Sequence, residues 1–488
     1  MSSTDETVSK RPGELKADWL RPVRAYLVLA FQCDRPLERA SRYRLYELDE
    51  VRIGRGVLDA SVEASHEVSQ EGQSPRKRLV VRVPDALVSR EHARLVRAGD
   101  RWILEDKNSK NGVLVNGVAG RSTWLRDGDT FEIGHTFFLY REESHSSEDD
   151  VLQEAAPSAQ APDGLTTLLP SFARELGKLA RVARTAVPVL LEGDTGTGKE
   201  LIARGYHHLS GRTGPFVAVN CGALPKNLLE TELFGHKKGA FSGAHEDRSG
   251  HVRAAHGGTL LLDEIAELPL ASQTAFLRVL QEREVVPVGG TRPLQVDFRL
   301  VSATHGNLAD LAGQGAFRED LYARLAGFHL RIPPLRARRE DLGLIIPTIL
   351  QRTLPEGVIL RLSPDAVRAF FKYTWPHNVR ELERCLTTAA ALARDYIDMD
   401  HLPEALRGHL SNAPDAKSGT SGPPPADPST PPAPPSPSPR DDKQAELVAL
   451  LHGHRGNVSR VAEALGTSRA QVHRLMDRYG IELDKFRR

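Results

Sequence analysis

Apolar and polar positions divide the chain into four regimes. From Val23 to about Tyr140, short β-type runs alternate with breaks rich in Gly, Asn and Asp. The runs are Arg24–Phe31, Val51–Ile53, Leu79–Val83, Ala93–Arg97, Trp102–Glu105, Val113–Val115, Thr130–Ile133 and Phe137–Tyr140. Many short strands with turn signals predict a β-sandwich. From about Thr166 the apolar runs Val187–Leu191, Phe216–Asn220, Thr259–Asp263 and Phe298–Ala303 alternate with helical spacing such as Leu270–Arg283. That alternation predicts an α/β layer with a parallel sheet. Helical spacing continues alone in Glu340–Thr353, Pro364–Tyr373 and Asn378–Arg394. In the last regime, Val458–Leu465 and Ser468–Tyr479 predict two short helices around Gly466-Thr467, a helix-turn-helix arrangement.

Between these regimes lie stretches that cannot build a core. Residues 1–20 are polar and predict a frayed end. Arg141 to Asp163 carries seven acids against one arginine and reads as a solvated linker. Ser411 to Arg440 is rich in Pro, Ser and Ala and predicts an extended, semi-stiff tether. The predicted domains are 1–145 (core about 23–140), 166–335, 336–409 and 441–488, joined by linkers at 146–165 and 410–440.

Composition narrows the class without naming it. The 488 residues are 40% hydrophobic, enough for ordinary cores in two to four domains. Net charge is +1, so any nucleic-acid binding needs a local patch rather than a bulk field. Cys33, Cys221 and Cys385 lack metal-ligand spacing and read as packed thiols of a reducing compartment. No apolar run of about 18 residues and no signal-peptide core are present, so a soluble, cytoplasmic protein is expected.

The clearest chemistry lies at Gly193-Asp194-Thr195-Gly196-Thr197-Gly198-Lys199-Glu200, between a predicted strand and a predicted helix. Glycines let backbone N–H groups wrap a polyphosphate, and Lys199 supplies a compact charge for its terminal phosphates. Glu200 stands where Ser or Thr usually helps to hold magnesium. Asp263 and Glu264 end an apolar strand, where one carboxylate can hold the metal and the next orient a water. Together these features predict an ATPase using ATP and Mg2+. On the second tail helix, Arg469, Gln471, His473 and Arg474 could reach base edges or phosphates. As an isolated pattern such a hairpin serves DNA binding or helix packing equally. Nine Lys and Arg against seven Asp and Glu in 441–488 predict weak binding by one copy.

Three resemblances extend this reading. Gly54-Arg55, Ser89-Arg90-Glu91-His92, Asn108 to Gly112 and Asn116-Gly117 resemble a forkhead-associated (FHA) domain, a reader of phosphothreonine peptides. The resemblance implies that Arg55, Ser89, Arg90 and Asn111 contact the phosphopeptide, with Lys110 beside them, and that Gly54 and His92 are structural. The Ser61–Arg78 connection is longer and more polar than the family's. Gly239-Ala240-Phe241-Ser242-Gly243-Ala244, lying between the two nucleotide motifs, resembles the sigma-54-contacting loop of bacterial enhancer-binding proteins, which are AAA+ ATPases. Gly456-Asn457, Ala462, Leu465-Gly466, Ser468-Arg469 and Tyr479-Gly480 resemble a Fis-type DNA-binding tail.

The AAA+ resemblance covers nearly all of 166–406 and implies further roles. Asn220 would restrain the catalytic glutamate, Asp263 hold the metal and Glu264 activate water. Arg318 and Arg324 would act as arginine fingers on a neighbour's nucleotide, and Arg380 would read the nucleotide from the lid. Ser242, His305 and His377 depart from the family's Thr, Asn and Gly. The expectation is therefore a multidomain protein: a β-sandwich (FHA), an α/β AAA+ ATPase with a helical lid, and an all-α helix-turn-helix. It would work as a homo-oligomeric ring, a hexamer, that binds enhancer DNA and remodels sigma-54 RNA polymerase holoenzyme. Input would come from a phosphothreonine protein or a Ser/Thr kinase rather than an aspartate phosphorelay. The alternatives are an AAA+ remodeller of another partner and a DNA-binding phosphopeptide adaptor.

Overall fold

Twelve strands build the first part of the chain: β1 (Val23–Gln32), β2 (Ser41–Arg44), β3 (Glu50–Arg55), β4 (Glu63–Ser69), β5 (Arg76–Val83), β6 (Ala93–Ala98), β7 (Arg101–Asp106), β8 (Val113–Val115), β9 (Val118–Ala119), β10 (Ser122–Trp124), β11 (Thr130–Ile133) and β12 (Thr136–Ser144). A computed structural model describes residues 23–69, 76–144, 164–241, 244–355, 357–358 and 360–411. The expected helix-turn-helix with Ser468, Arg469, Gln471, His473 and Arg474 lies outside the described residues. So do Ser242, Gly243, most of the acidic linker and nearly all of the proline tract.

The strands form two six-stranded sheets, in the orders β2-β1-β12-β11-β8-β9 and β10-β7-β6-β3-β5-β4. Leu27, Leu29, Val51, Ile53, Leu79, Trp102, Phe131 and Phe138 fill the space between them. Two expectations change here. The polar segment after Ser61 is not a connection; Glu63 to Ser69 pair with Arg82 to Arg76 as strand β4. Its polarity fits an edge strand of the sheet, where many side chains meet water. The solvated-linker reading also fails for residues 141–144, which pair with β1. There Arg141 is held between Asp127 at 2.9 Å and Glu340 at 2.8 Å.

The second part holds a five-stranded parallel sheet in the order Phe216–Asn220, Thr259–Asp263, Arg299–Thr304, Val189–Glu192, Phe328–Arg331. The last of these edge strands was not anticipated. All pairs are parallel, so the segments that follow the five strands leave at one edge of the sheet. Open α/β sheets place ligands at that carboxyl edge. Helices Leu342–Thr353, Pro364–Lys372, Asn378–Leu392 and Glu404–Ser411 form the lid. Ser363 caps the second by accepting from Ala366 N, with Pro364 in the first turn.

Sandwich and lid share a core. Tyr26, Val28, Ala30, Phe137 and Leu139, on the outer side of the first sheet, pack with Leu342, Ile346, Phe370 and Phe371. The Phe137 and Phe371 rings stack at 6.0 Å. Arg368 of the lid pairs with the buried Glu132 of β11 at 2.6 Å. Gly343 permits this approach, since a Cβ there would lie 2.0 Å from the Ala30 carbonyl oxygen. Cys33, Cys221 and Cys385 are free and buried. Among the described residues no helix is long and apolar enough to cross a membrane.

Candidate functional site

The phosphate-loop segment runs from the strand Val189–Glu192 into the helix Lys199–Leu209. Gly196 and Gly198 take φ of +78° and +99°, conformations open to glycine. A Cβ on Gly196 would also lie 2.3 Å from the His377 carbonyl. Lys199 is buried, and its Nζ donates to the Gly193 carbonyl at 2.8 Å. Thr197 Oγ1 donates to the Asp194 carbonyl at 2.8 Å. Glu200 is exposed and pairs with Arg204 at 2.6 Å.

Parallel register brings the strand-end residues beside this loop. Asn220 lies opposite Asp263 in the sheet. Its Nδ2 donates to Asp263 at 3.4 Å, while its Oδ1 accepts from Gly222 and Ala223 N. Here the Asn220 amide faces Asp263, the chain neighbour of Glu264. Glu264 instead meets His305 Nδ1 at 2.5 Å and Lys199 Nζ at 3.8 Å. Glu264 also has φ +52°, a left-handed conformation that is sparsely populated for a non-glycine residue. Burial pushes the Asp263 carboxyl above the usual range; the charge of Glu264 adds to this and Lys199 opposes it. A nearby cation would relieve that cost, so the donor chemistry fits a hard metal ion shared with phosphate oxygens. Among the described residues no cluster of three or more His, Cys, Asp or Glu could hold a metal without such help.

The lid clamps the loop through groups to which the sequence reading gave no role. Asn378 Nδ2 donates to the Thr195 carbonyl at 3.0 Å, and Val379 N to the Gly196 carbonyl at 2.9 Å. Buried Arg338 donates to the Thr197 carbonyl at 2.7 Å, and Arg336 faces Asp194 at 3.3 Å. Nothing local in the sequence flags these arginines, whose partners lie 142 and 141 residues away. Arg380 is exposed, with its Cβ 3.1 Å from where a Cβ on Gly196 would sit. His377 sits at φ −103°, so its place in the lid does not require a glycine. Beside the loop a cavity of about 130 Å³ is walled by Leu201, Ile202, Leu344, Ile345, Ile349 and Val379.

Arg318 and Arg324 do not line that cavity. Arg318 is exposed and doubly bonded to Asp320 at 3.0 and 2.7 Å. Arg324 borders a separate cavity of about 550 Å³ with Val187, Leu280 and Phe298. Phe241 is 39% exposed, and its ring meets His236 edge-on at 5.0 Å, so it folds back rather than projecting freely. Gly239 has φ +83° and donates to the Ala244 carbonyl at 2.8 Å; Ala240 follows it and Ala244 is buried. A hairpin, Glu284–Val285 with Leu294–Gln295, braces this loop through a bridge between His236 and Val288. Its turn glycines, Gly289-Gly290, were the signal available in the sequence.

At one end of the sandwich, the expected phosphopeptide residues are held together by the backbone. Arg55 N donates to the Ser89 carbonyl at 2.9 Å, and Lys110 N to Ser89 Oγ at 3.1 Å. Asn111 Nδ2 donates to the Leu87 carbonyl at 2.7 Å. The Arg55 and Arg90 side chains are exposed. Buried His92 ties the loops, accepting from Ser89 N at 3.0 Å and facing the Gly112 carbonyl at 2.9 Å. Gly54 leaves room for the Arg90 carbonyl, which a Cβ would meet at 2.0 Å. Both residues are structural, as the resemblance implied.

Family comparisons agree with this layout. Residues 166–331 match the Sigma-54 interaction domain, 336–419 an AAA+ ATPase lid domain, and 51–134 an FHA domain. Over 346 residues the chain is 36% identical to the Transcriptional regulatory protein GlrR of Escherichia coli, covering 70% of this chain and 73% of that one. The chain belongs to the sigma-54-dependent activator family. This family member is also 42% identical over 346 residues to the Acetoin catabolism regulatory protein of Cupriavidus necator, covering 68% of this chain. It is 40% identical over 307 residues to the Regulatory protein AtoC of Escherichia coli, covering 62% of this chain. It spans 50% and 65%, respectively, of the length of these two relatives.

Proposed function

We propose that this sigma-54 activator family member hydrolyses ATP to remodel sigma-54 RNA polymerase, under control of phosphothreonine recognition by its FHA domain. The observation that carries the reading is the convergence of Lys199, Asp263 and Glu264 under the lid clamp. Lys199 exchanges its bond to the Gly193 carbonyl for the terminal phosphates, neutralising charge where it develops in transfer. Asp263 would hold Mg2+ together with the nucleotide, and the ion would supply further charge neutralisation. Glu264, held by His305, takes the proton of the attacking water. Asn220 holds Asp263, and Arg380 reaches the nucleotide from the lid.

Arg324 and, once freed from Asp320, Arg318 complete the site of a neighbouring copy, so turnover depends on a ring, taken as hexameric. The Gly239–Ala244 loop, with Phe241 leading, contacts sigma-54. Residues 441–488 anchor the assembly on enhancer DNA, where several weak contacts add through multivalency. Exposed Arg55 and Arg90, with Ser89, Lys110 and Asn111, engage the phosphate by charge-assisted bonds.

A paired assay of phosphate release and promoter opening tests the reading. Glu264→Gln should bind ATP yet release no phosphate. Phe241→Ala should keep phosphate release and lose promoter opening with sigma-54 polymerase. Normal turnover by the first variant would remove Glu264 as the base. Normal opening by the second would favour remodelling of another partner.

A further inference from the structure

The cavity beside the phosphate loop has one wall that does not come from the ATPase. Its lining includes Arg39, which lies between β1 and β2 of the sandwich. Three cations line this space. Arg338 is spent on the Thr197 carbonyl and stands 3.8 Å from Asp341, and Arg352 pairs with Glu383 at 3.1 Å. Among the described residues Arg39 takes part in no ion pair, and its side chain is exposed at the cavity's rim.

We propose that the sandwich completes the nucleotide pocket of its own chain, with Arg39 touching the base of the bound adenine nucleotide. The proposal rests on the ATPase reading above. The cavity's apolar walls suit a flat purine, and a planar guanidinium stacks on an aromatic face where an ammonium does not.

Two features hold Arg39 in register with the pocket. The next residue, Ala40, is buried and donates from N to the Gly343 carbonyl at 3.0 Å. Gly343, which abuts Ala30, is followed in the same helical turn by Leu344 and Ile345, both in the cavity wall. One turn of the lid thus bears the sandwich on one side and the pocket on the other. A second path runs from Arg42 of β2, which donates to the Leu168 carbonyl at 3.0 Å. Leu168 N donates to Asp341 at 2.6 Å, Asp341 faces Arg338, and Arg338 reaches the phosphate loop at Thr197. A sandwich seated on the lid therefore touches both ends of the nucleotide site, and occupancy of one is linked to the seating of the other.

Calorimetric titration of the full chain with unmodified ADP and with inorganic pyrophosphate tests this. Arg39→Ala should weaken ADP binding roughly three- to tenfold and leave pyrophosphate affinity unchanged. Arg39→Lys should not restore ADP affinity, because it keeps the charge and loses the plane. An ADP affinity within twofold of the unmodified chain would overturn the proposal, as would equal losses for ADP and pyrophosphate. The rim position lets the variant fold, which an unchanged thermal transition verifies. Failure of the ATPase reading is distinct: the unmodified chain would then bind no ADP, or bind it equally well after Lys199→Ala.

Discussion

On the sheet that carries β3 and β5, side chains largely alternate in kind. Val51, Ile53, Leu79 and Val81 enter the sandwich core, while Glu50, Arg52, Arg78 and Arg82 occupy the other side, with Val80 the one apolar residue among them. On the sheet that carries β1 and β12, both sides are apolar. Leu27, Leu29, Phe138 and Tyr140 face the sandwich core, and Tyr26, Val28, Phe137 and Leu139 join the lid. The pleat is the same in both sheets, so the difference reports what covers each one. A two-layer sandwich needs apolar residues on one face only; a strand apolar on both faces announces a third layer. Here that layer is the ATPase lid, and the sandwich is built into the enzyme rather than tethered beside it.

The largest effect expected from this contrast comes from Phe371, buried against Phe137. Phe371→Ala should cost about 3–5 kcal/mol in urea unfolding of the full chain, as large-to-small core changes do. A loss below about 1 kcal/mol would mean that the lid face is not a true core.

A second effect is pH-dependent. Burial pushes the Glu340 carboxyl up to about 7, against the pull of Arg141, with Asp341 and Asp127 adding to the rise. The folded chain then keeps a proton that the unfolded chain has released. Stability from this group is full below the ordinary carboxylate range and is lost as pH rises through about 7. Glu340→Gln should flatten the decline between about pH 4 and 8, a span that brackets the ordinary carboxylate value and the folded value of about 7, in thermal unfolding. An unchanged slope would assign the dependence to other groups.

The smallest stability effect belongs to the loop end of the sandwich. Arg55→Ala should change stability by no more than about 0.5 kcal/mol, because the side chain is exposed. Binding of phosphothreonine peptides should nonetheless be lost, as measured by calorimetry. A variant that destabilises the fold would make Arg55 a structural residue like His92.

How much of this could be read from the sequence follows from where each signal is local. Gly193 to Lys199 and Asp263-Glu264 were legible because a phosphate loop and a strand-end carboxylate are fixed by neighbours in the chain. The same holds for Gly54 and His92, whose partners lie in motif loops. The bond of Asn220 to Asp263 could not be read, because it depends on register between two strand ends 43 residues apart. His305 was noticed as a departure, but its grip on Glu264 needed the sheet to be assembled. The bonds of Arg338 and Asn378 went unread for the same reason: their acceptors are backbone carbonyls of a distant loop. Docking of the sandwich had left a trace in Tyr26 to Phe31, an unbroken apolar run where alternation was due. The polar strand β4 was hidden by the opposite effect, since an edge strand needs little apolar character.

Whether sandwich and ATPase are one structural unit can be measured directly. Trp102 is buried in the sandwich core and Trp375 in the lid core. Two variants of the full chain, each keeping one of these tryptophans and carrying Phe at the other three, report on the two regions separately. Fluorescence-monitored urea unfolding should give coincident midpoints and slopes, the behaviour of a single cooperative unit. A sandwich that unfolds at lower urea while Trp375 keeps its native signal would contradict the account.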